Sequence, residues 1–213
     1  MGRKRRPAGR KTKAKTRPRP GNRPVVTPLR IIGGNFRGRK LAYHGDPRTR
    51  PMKDRVREAT FNLVGPSVKG KHAVDLFAGT GALGLEALSR GAAQATFIEQ
   101  HYPTARTIRE NAEMLEVNDV CQMVTADTFL WSQDEGPSTD DPPWLVFCSP
   151  PYAFYQDRID EMLALIASYI DRAPAESIIV VESDTEFDHG QLPQPDRWDS
   201  RKYSPAIVGV LRV

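Results

Sequence analysis

The stretch that most constrains the fold spans residues 73–86 and reads A-V-D-L-F-A-G-T-G-A-L-G-L-E. Ala73, Val74, Leu76 and Phe77 predict a buried strand, and Gly79, Gly81 and Gly84 predict a tight turn. Leu83, Leu85, Ala87 and Leu88 then open a helix. Strand, glycine turn and helix form half of a nucleotide-binding α/β unit, in which turn amides approach a ligand that a side chain would block.

The G-x-G-x-x-G spacing alone fits a dinucleotide site as well as any other, so the neighbouring residues decide. Asp75 puts a carboxylate inside an apolar strand, and unpaired buried charge is costly. Either it bonds the turn amides or it answers a cation, and S-adenosylmethionine (AdoMet) carries two, an amino group and a sulfonium. Ala78, Gly79 and Gly81 are then the backbone cradle. A second strand over residues 95–99 ends in Glu99, twenty residues past Gly79, where a carboxylate accepts both ribose hydroxyls of an adenosyl group. NAD would use the same acid. Gln100 follows it. Past a third strand over residues 120–125, Asp127 either receives the adenine amino hydrogens, with Thr128 beside it, or caps a helix.

Charge divides the chain. Eleven cations and no acid occur in the first 23 residues, leaving 20 basic against 26 acidic residues beyond them. Such a tail, residues 1–28, buries no apolar surface; it suits a polyanion such as RNA, or else a solvated arm. Residues 29–213 hold one domain, with a hairpin and helix over 29–66 and the α/β core over 67–213. Cys121 and Cys148 are isolated, and His44, His72, His101 and His189 lack ligand spacing, so no disulfide framework and no metal are expected. No apolar run approaches a membrane span, and Pro7, Pro18, Pro20 and Pro24 spoil an amphipathic transit helix, so a cytoplasmic location is expected. A monomer is the expected state.

Residues 29–41 read as a hairpin or extended loop about Gly33-Gly34-Asn35, anchored by Ile31, Ile32, Phe36 and Leu41. Its Arg30, Arg37, Arg39 and Lys40 suit phosphate contacts, or form a solvated edge. A helix over residues 49–64 follows, with Pro51 in its first turn, Val56, Thr60, Leu63 and Val64 inward, and Gly65-Pro66 ending it. Its Arg50, Arg55, Arg57, Glu58 and Asn62 either reach the cofactor or RNA or make a charged outer face. Helices over residues 102–115 and 155–170, a surface loop over 133–143, a fifth strand over 177–181 and two last strands around Ser204-Pro205 complete the pattern. The expected fold is a doubly wound, seven-stranded, mostly parallel α/β sheet with an antiparallel last strand.

The fourth strand, residues 144–148, runs into Ser149-Pro150-Pro151-Tyr152. In open α/β sheets ligands gather at the carboxyl ends of strands, so this tetrapeptide should face the glycine turn. Two prolines hold the backbone extended with its carbonyls free. Ser149 Oγ and the Pro150 carbonyl can accept the two hydrogens of a nucleobase amine while Tyr152 stacks on the ring, aiming the nitrogen at a methyl donor without a strong general base. The base must first leave its stack. The competing reading is a structural proline corner with a packed tyrosine.

With these residues the chain resembles the class I AdoMet-dependent methyltransferases whose tetrapeptide is D-P-P-Y, N-P-P-Y or S-P-P-Y. R-I-I-G-G-N-F-R-G-R-K-L, T-R-P-M-K-D-R-V-R-E-A-T-F-N and D-L-F-A-G-T-G-A-L-G-L-E-A-L-S-R-G-A are similar to the RsmD type of bacterial 16S rRNA guanine-N2 methyltransferase. The resemblance covers residues 29–213 and implies methylation of a guanine amine in 16S rRNA, free or in a partly assembled small subunit. The position of Ser149 is usually acidic in that family. Serine there leaves two other readings, a DNA cytosine-N4 methyltransferase and a catalytically weak RNA-binding assembly factor. A NAD-dependent dehydrogenase ranks last, since no proton-relay histidine or Tyr-x-x-x-Lys pair accompanies the glycines.

Overall fold

The computed structural model describes residues 29–43, 45, 51–140 and 142–213, so the basic tail and Arg50 lie outside the described residues. A seven-stranded sheet runs through the described residues: β1 (His72–Asp75), β2 (Gln94–Ile98), β3 (Cys121–Val124), β4 (Trp144–Cys148), β5 (Ile178–Asp184), β6 (Asp199–Tyr203) and β7 (Ala206–Arg212). The order is β3-β2-β1-β4-β5-β7-β6, parallel except that β7 runs antiparallel to both neighbours. β1 and β4 are adjacent although far apart in sequence. Strand order reverses between them, which opens a crevice outside their carboxyl ends.

Among the described residues six α-helices cover the two faces: α1 (Asp54–Val64), α2 (Ala82–Ser89), α3 (Tyr102–Met114), α4 (Thr128–Asp134), α5 (Phe154–Asp157) and α6 (Ile159–Arg172). On one face Phe61, Leu85, Ile108, Phe97 and Phe147 share a core; on the other Trp144, Val146, Met162, Ile166 and Tyr169 share a second. Each fully buried large apolar side chain contributes about 1.5–3 kcal/mol, so the strands' near-continuous apolar runs are the main source of stability. A sheet buried on both faces needs such runs rather than alternation.

The N-terminal segment is pinned to α2. Arg30 and Lys40 form an antiparallel bridge, and the Ile32 and Gly33 amides both donate to the Glu86 carboxylate at 2.7 Å. The Phe36 amide donates to Ser89 Oγ at 2.9 Å, and Asn111 exchanges two bonds with the Ala42 backbone. The segment is therefore a docked loop closed by one bridge.

Four expectations are corrected. Gly84 lies inside α2, where a Cβ would drive into the Phe97 ring, so it serves helix–strand packing and not the turn. α1 starts after Pro51, and its inner face uses Phe61 and Arg57 while Leu63 is half-buried. Residues 128–134 form α4, so the expected loop over 133–143 begins two residues too early. The expected helix over 155–170 breaks at Arg158 (φ −136°, ψ 35°), whose guanidinium lies 3.9 Å from the Phe129 ring centroid.

Candidate active site

The crevice at the sheet's carboxyl edge holds a cavity of about 680 Å³. Phe77 and Gly79 from the loop after β1, Glu99, Gln100 and His101 after β2, and Asp127, Thr128 and Phe129 at the start of α4 line it. Ser149, Pro150, Pro151, Tyr152 and Phe154 after β4 line the same space, as do Lys53 and Glu182. The glycine loop and the proline tetrapeptide therefore open on one side of the molecule.

Glu99 is half-buried. Its Oε2 accepts from the Gly79 amide at 2.9 Å and its Oε1 from the His101 amide at 2.8 Å. The two bonds fix the carboxylate where it lines the cavity. Asp127 caps α4, its Oδ1 accepting from the Phe129 amide at 2.9 Å and the Leu130 amide at 3.3 Å. It is both helix cap and cavity wall. Thr128 Oγ1 donates to the Leu76 carbonyl and ties the two loops together.

Asp75, Ala78 and Gly81 do not line the cavity. Asp75 is 1% exposed, and its Oδ2 accepts from the Gly84 amide at 3.2 Å, so the carboxylate bonds backbone behind the loop. Among the described residues its Oδ1 has no partner, and burial pushes its carboxyl up to about 7. Ala78 is buried, its amide bonded to the Ile98 carbonyl at 2.9 Å. Gly81 has φ 72°, and a Cβ there would come within 2.7 Å of Ile108, so α3 rather than a ligand excludes a side chain.

Sequence reasoning missed Glu182. It sits on β5 with 7% exposure, and both of its oxygens are engaged by the tetrapeptide: Ser149 Oγ donates to Oε2 and the Tyr152 phenol to Oε1 at 2.9 Å. Burial raises its carboxyl above the usual range, against the pull of those two donors. The signal was the same as for Asp75, an acid inside an apolar run, but ending the strand at residue 181 left it outside.

The expected RNA contacts divide. Arg37 and Lys40 are exposed; Arg30 pairs with Asp54 at 3.0 Å, Arg39 donates to the Met114 carbonyl at 2.7 Å and Arg55 to the Ser204 carbonyl at 2.6 Å. Arg57 is a correction. It is fully buried, bonded to the Arg30 carbonyl at 2.6 Å and to Asp54 at 3.1 Å, with Glu86 at 3.7 Å, and so cannot reach a phosphate. No helix among the described residues is long and apolar enough to cross a membrane.

A family model described as "Conserved hypothetical protein 95" matches residues 29–206. Ribosomal RNA small subunit methyltransferase D of Escherichia coli K12 is 37% identical over 170 residues, 80% of this chain and 81% of that one. The Haemophilus influenzae protein of the same name is 34% identical over 174 residues, 80% of this chain and 84% of its own length. The solved structure of yhhF from Escherichia coli, 31% identical, superposes with a TM-score of 0.70 over 86% of this chain and 96% of that one.

Proposed function

The chain belongs to the conserved hypothetical protein 95 family, the RsmD family of methyltransferases, and from that premise we propose that it methylates the exocyclic N2 of a guanine in 16S rRNA using AdoMet. The observation that carries the reading is the meeting of Gly79 and Glu99 with Ser149-Pro150-Pro151-Tyr152 around one cavity.

The residues present fit the methyl donor. In this reading Glu99 accepts the ribose hydroxyls, Gln100 and Asp127 flank the adenine, and Phe77 and Phe129 give the apolar wall an adenosyl group needs. Bound there, AdoMet supplies an activated methyl on a cationic sulfur. Ser149 Oγ keeps lone pairs after donating to Glu182, and the Pro150 carbonyl accepts from no described residue, so both can receive the amine hydrogens of an unstacked guanine. Tyr152, oriented by its bond to Glu182, offers a ring for stacking. Holding the amine in line supplies much of the acceleration by orientation alone. Arg37 and Lys40, with the tail, bring in the RNA. The setting we infer is a cytoplasmic monomer acting on 16S rRNA or a partly assembled small subunit.

The weak assembly-factor reading rested on Ser149 lacking an acid, and Glu182 now supplies one in contact with it. Transfer of labelled methyl from AdoMet to small subunits that lack the modification, followed by nucleoside analysis, tests the proposal. Label recovered as N2-methylguanosine supports it, and label in any other nucleoside overturns the base assignment.

A further inference from the structure

The tetrapeptide contains no group able to keep a proton, yet one lies against it. Parallel pairing sets Cys148 beside Val181, so the next residues along, Ser149 and Glu182, meet at the carboxyl edge of β4 and β5. The carboxylate is buried, and both its oxygens take donors from the tetrapeptide. Resting on the methylation reading above, we propose that Ser149 and Glu182 form a proton relay, Ser149 Oγ taking a proton from the target amine while passing its own to Glu182 Oε2. Ser149 is the catalytic residue of the pair; Glu182 acts through it.

The need for a relay follows from the amine. A nucleobase amine has its lone pair conjugated into the ring, and once alkylated it must shed a proton. A serine hydroxyl cannot retain that proton at neutral pH, but it can accept one while donating another. In the balanced step, the nitrogen–carbon bond forms as the donor's carbon–sulfur bond breaks with its electron pair left on sulfur. The N–H pair returns to nitrogen, one O–H bond forms and one breaks at Ser149, and Glu182 ends protonated. The donor's positive charge and the carboxylate's negative charge disappear together, so the buried site carries no net charge at the end. A carboxyl raised by burial matches such a task better than an ordinary one.

The titratable groups beside Glu182 are the Tyr152 and Tyr155 phenols, the second donating to the Glu182 backbone carbonyl and touching the Cys148 thiol, with Lys53 on the cavity wall; from β7 its register partner is Val208. Among the described residues no cation pairs with Glu182. An acid limb in the pH–rate profile that vanishes in Glu182→Gln therefore reports the relay's own carboxyl, whereas one that persists there belongs to another group such as Asp75.

The test is single-turnover transfer to unmodified small subunits at saturating AdoMet over roughly pH 5 to 9, for the parent, Glu182→Gln, Glu182→Asp and Ser149→Ala. Glutamine still accepts from Ser149 but cannot hold the proton. The expected result is a loss of about 10²-fold in Glu182→Gln with the acid limb gone, partial recovery in Glu182→Asp, and a loss in the double variant with Ser149→Ala smaller than the product of the two single losses. Affinity for S-adenosylhomocysteine by calorimetry, expected within about twofold of the parent, separates lost chemistry from lost folding. A carboxyl infrared titration of the ligand-free protein should show a band that protonates above the usual carboxylate range and is absent in Glu182→Gln. Parent-like transfer by Glu182→Gln, a parent profile with no acid limb, or no such band overturns the relay. Should Glu182→Gln not fold, the limb and band are read in Asp75→Asn, where their persistence supports the relay and their loss overturns it. Were the parent to methylate no RNA, the functional reading would fall, while the infrared band would still judge Glu182.

Discussion

Gly84 and Asp75 are joined by one hydrogen bond, and each is held in place by the other's surroundings. Replacing a helical glycine with alanine gains up to about 1 kcal/mol of helix propensity. At Gly84 the added methyl would enter the Phe97 ring, and overpacking of that kind costs about 1–3 kcal/mol. The second effect wins, so Gly84→Ala should lower the urea midpoint with an unchanged slope. Asp75 acts through protons. Its folded-state value of about 7 lies above that of an unfolded aspartate, so the folded protein binds the extra proton between the two values. Its contribution is complete below about pH 4 and is lost as pH rises through 7, a swing of a few kcal/mol at most. Asp75→Asn should flatten that part of the stability profile in denaturant titrations at fixed pH steps. A parallel curve for the variant would show that Asp75 does not titrate there.

Among elements, the dependence of the N-terminal loop on α2 is the clearest. Glu86 is fully buried and receives the Ile32 and Gly33 amides together with Arg90 at 2.9 Å, while Arg57 lies at 3.7 Å. Removing one partner of a buried charge network costs about 3–5 kcal/mol because the other charges stay buried. Glu86→Gln should therefore lose stability on that scale, and amide exchange over residues 31–41 should speed up more than in β1 or β4. Equal acceleration everywhere would mean the loop does not open separately. The central strands were readable because each is a short, mostly apolar run bounded by turn residues, as in β4 from Trp144 to Cys148, whereas the exposed β6 (D-S-R-K-Y) carries no such run. Side-chain destinations were less so. Arg57 falls at a helical position whose neighbours Val56 and Phe61 point inward, and only tertiary contacts with Glu86 and Asp54 make a buried arginine tolerable. α4 was hidden because seven residues give too little periodicity, although its cap, Asp127, was visible.

For the whole molecule, charge and cavity act at different ranges. Eleven tail cations oppose an acidic remainder, so attraction to RNA should be salt-sensitive and concentrated in a few segments. Substituting alanine for both Arg37 and Lys40 should lower the slope of log affinity against log salt by about 0.7–0.9 for each phosphate that is no longer neutralised. Deleting residues 1–23 should lower it further; a slope unchanged by both would leave these cations idle. The chemistry, by contrast, depends on two strands meeting, since β4 brings the hydroxyl and β5 the acid. Positions 149 and 182 thus behave as a single functional address written in two places. An aspartate at the first would make a second negative charge beside Glu182, so introducing the apparently ideal acid there should cripple turnover unless the acid on the neighbouring strand is neutralised at the same time.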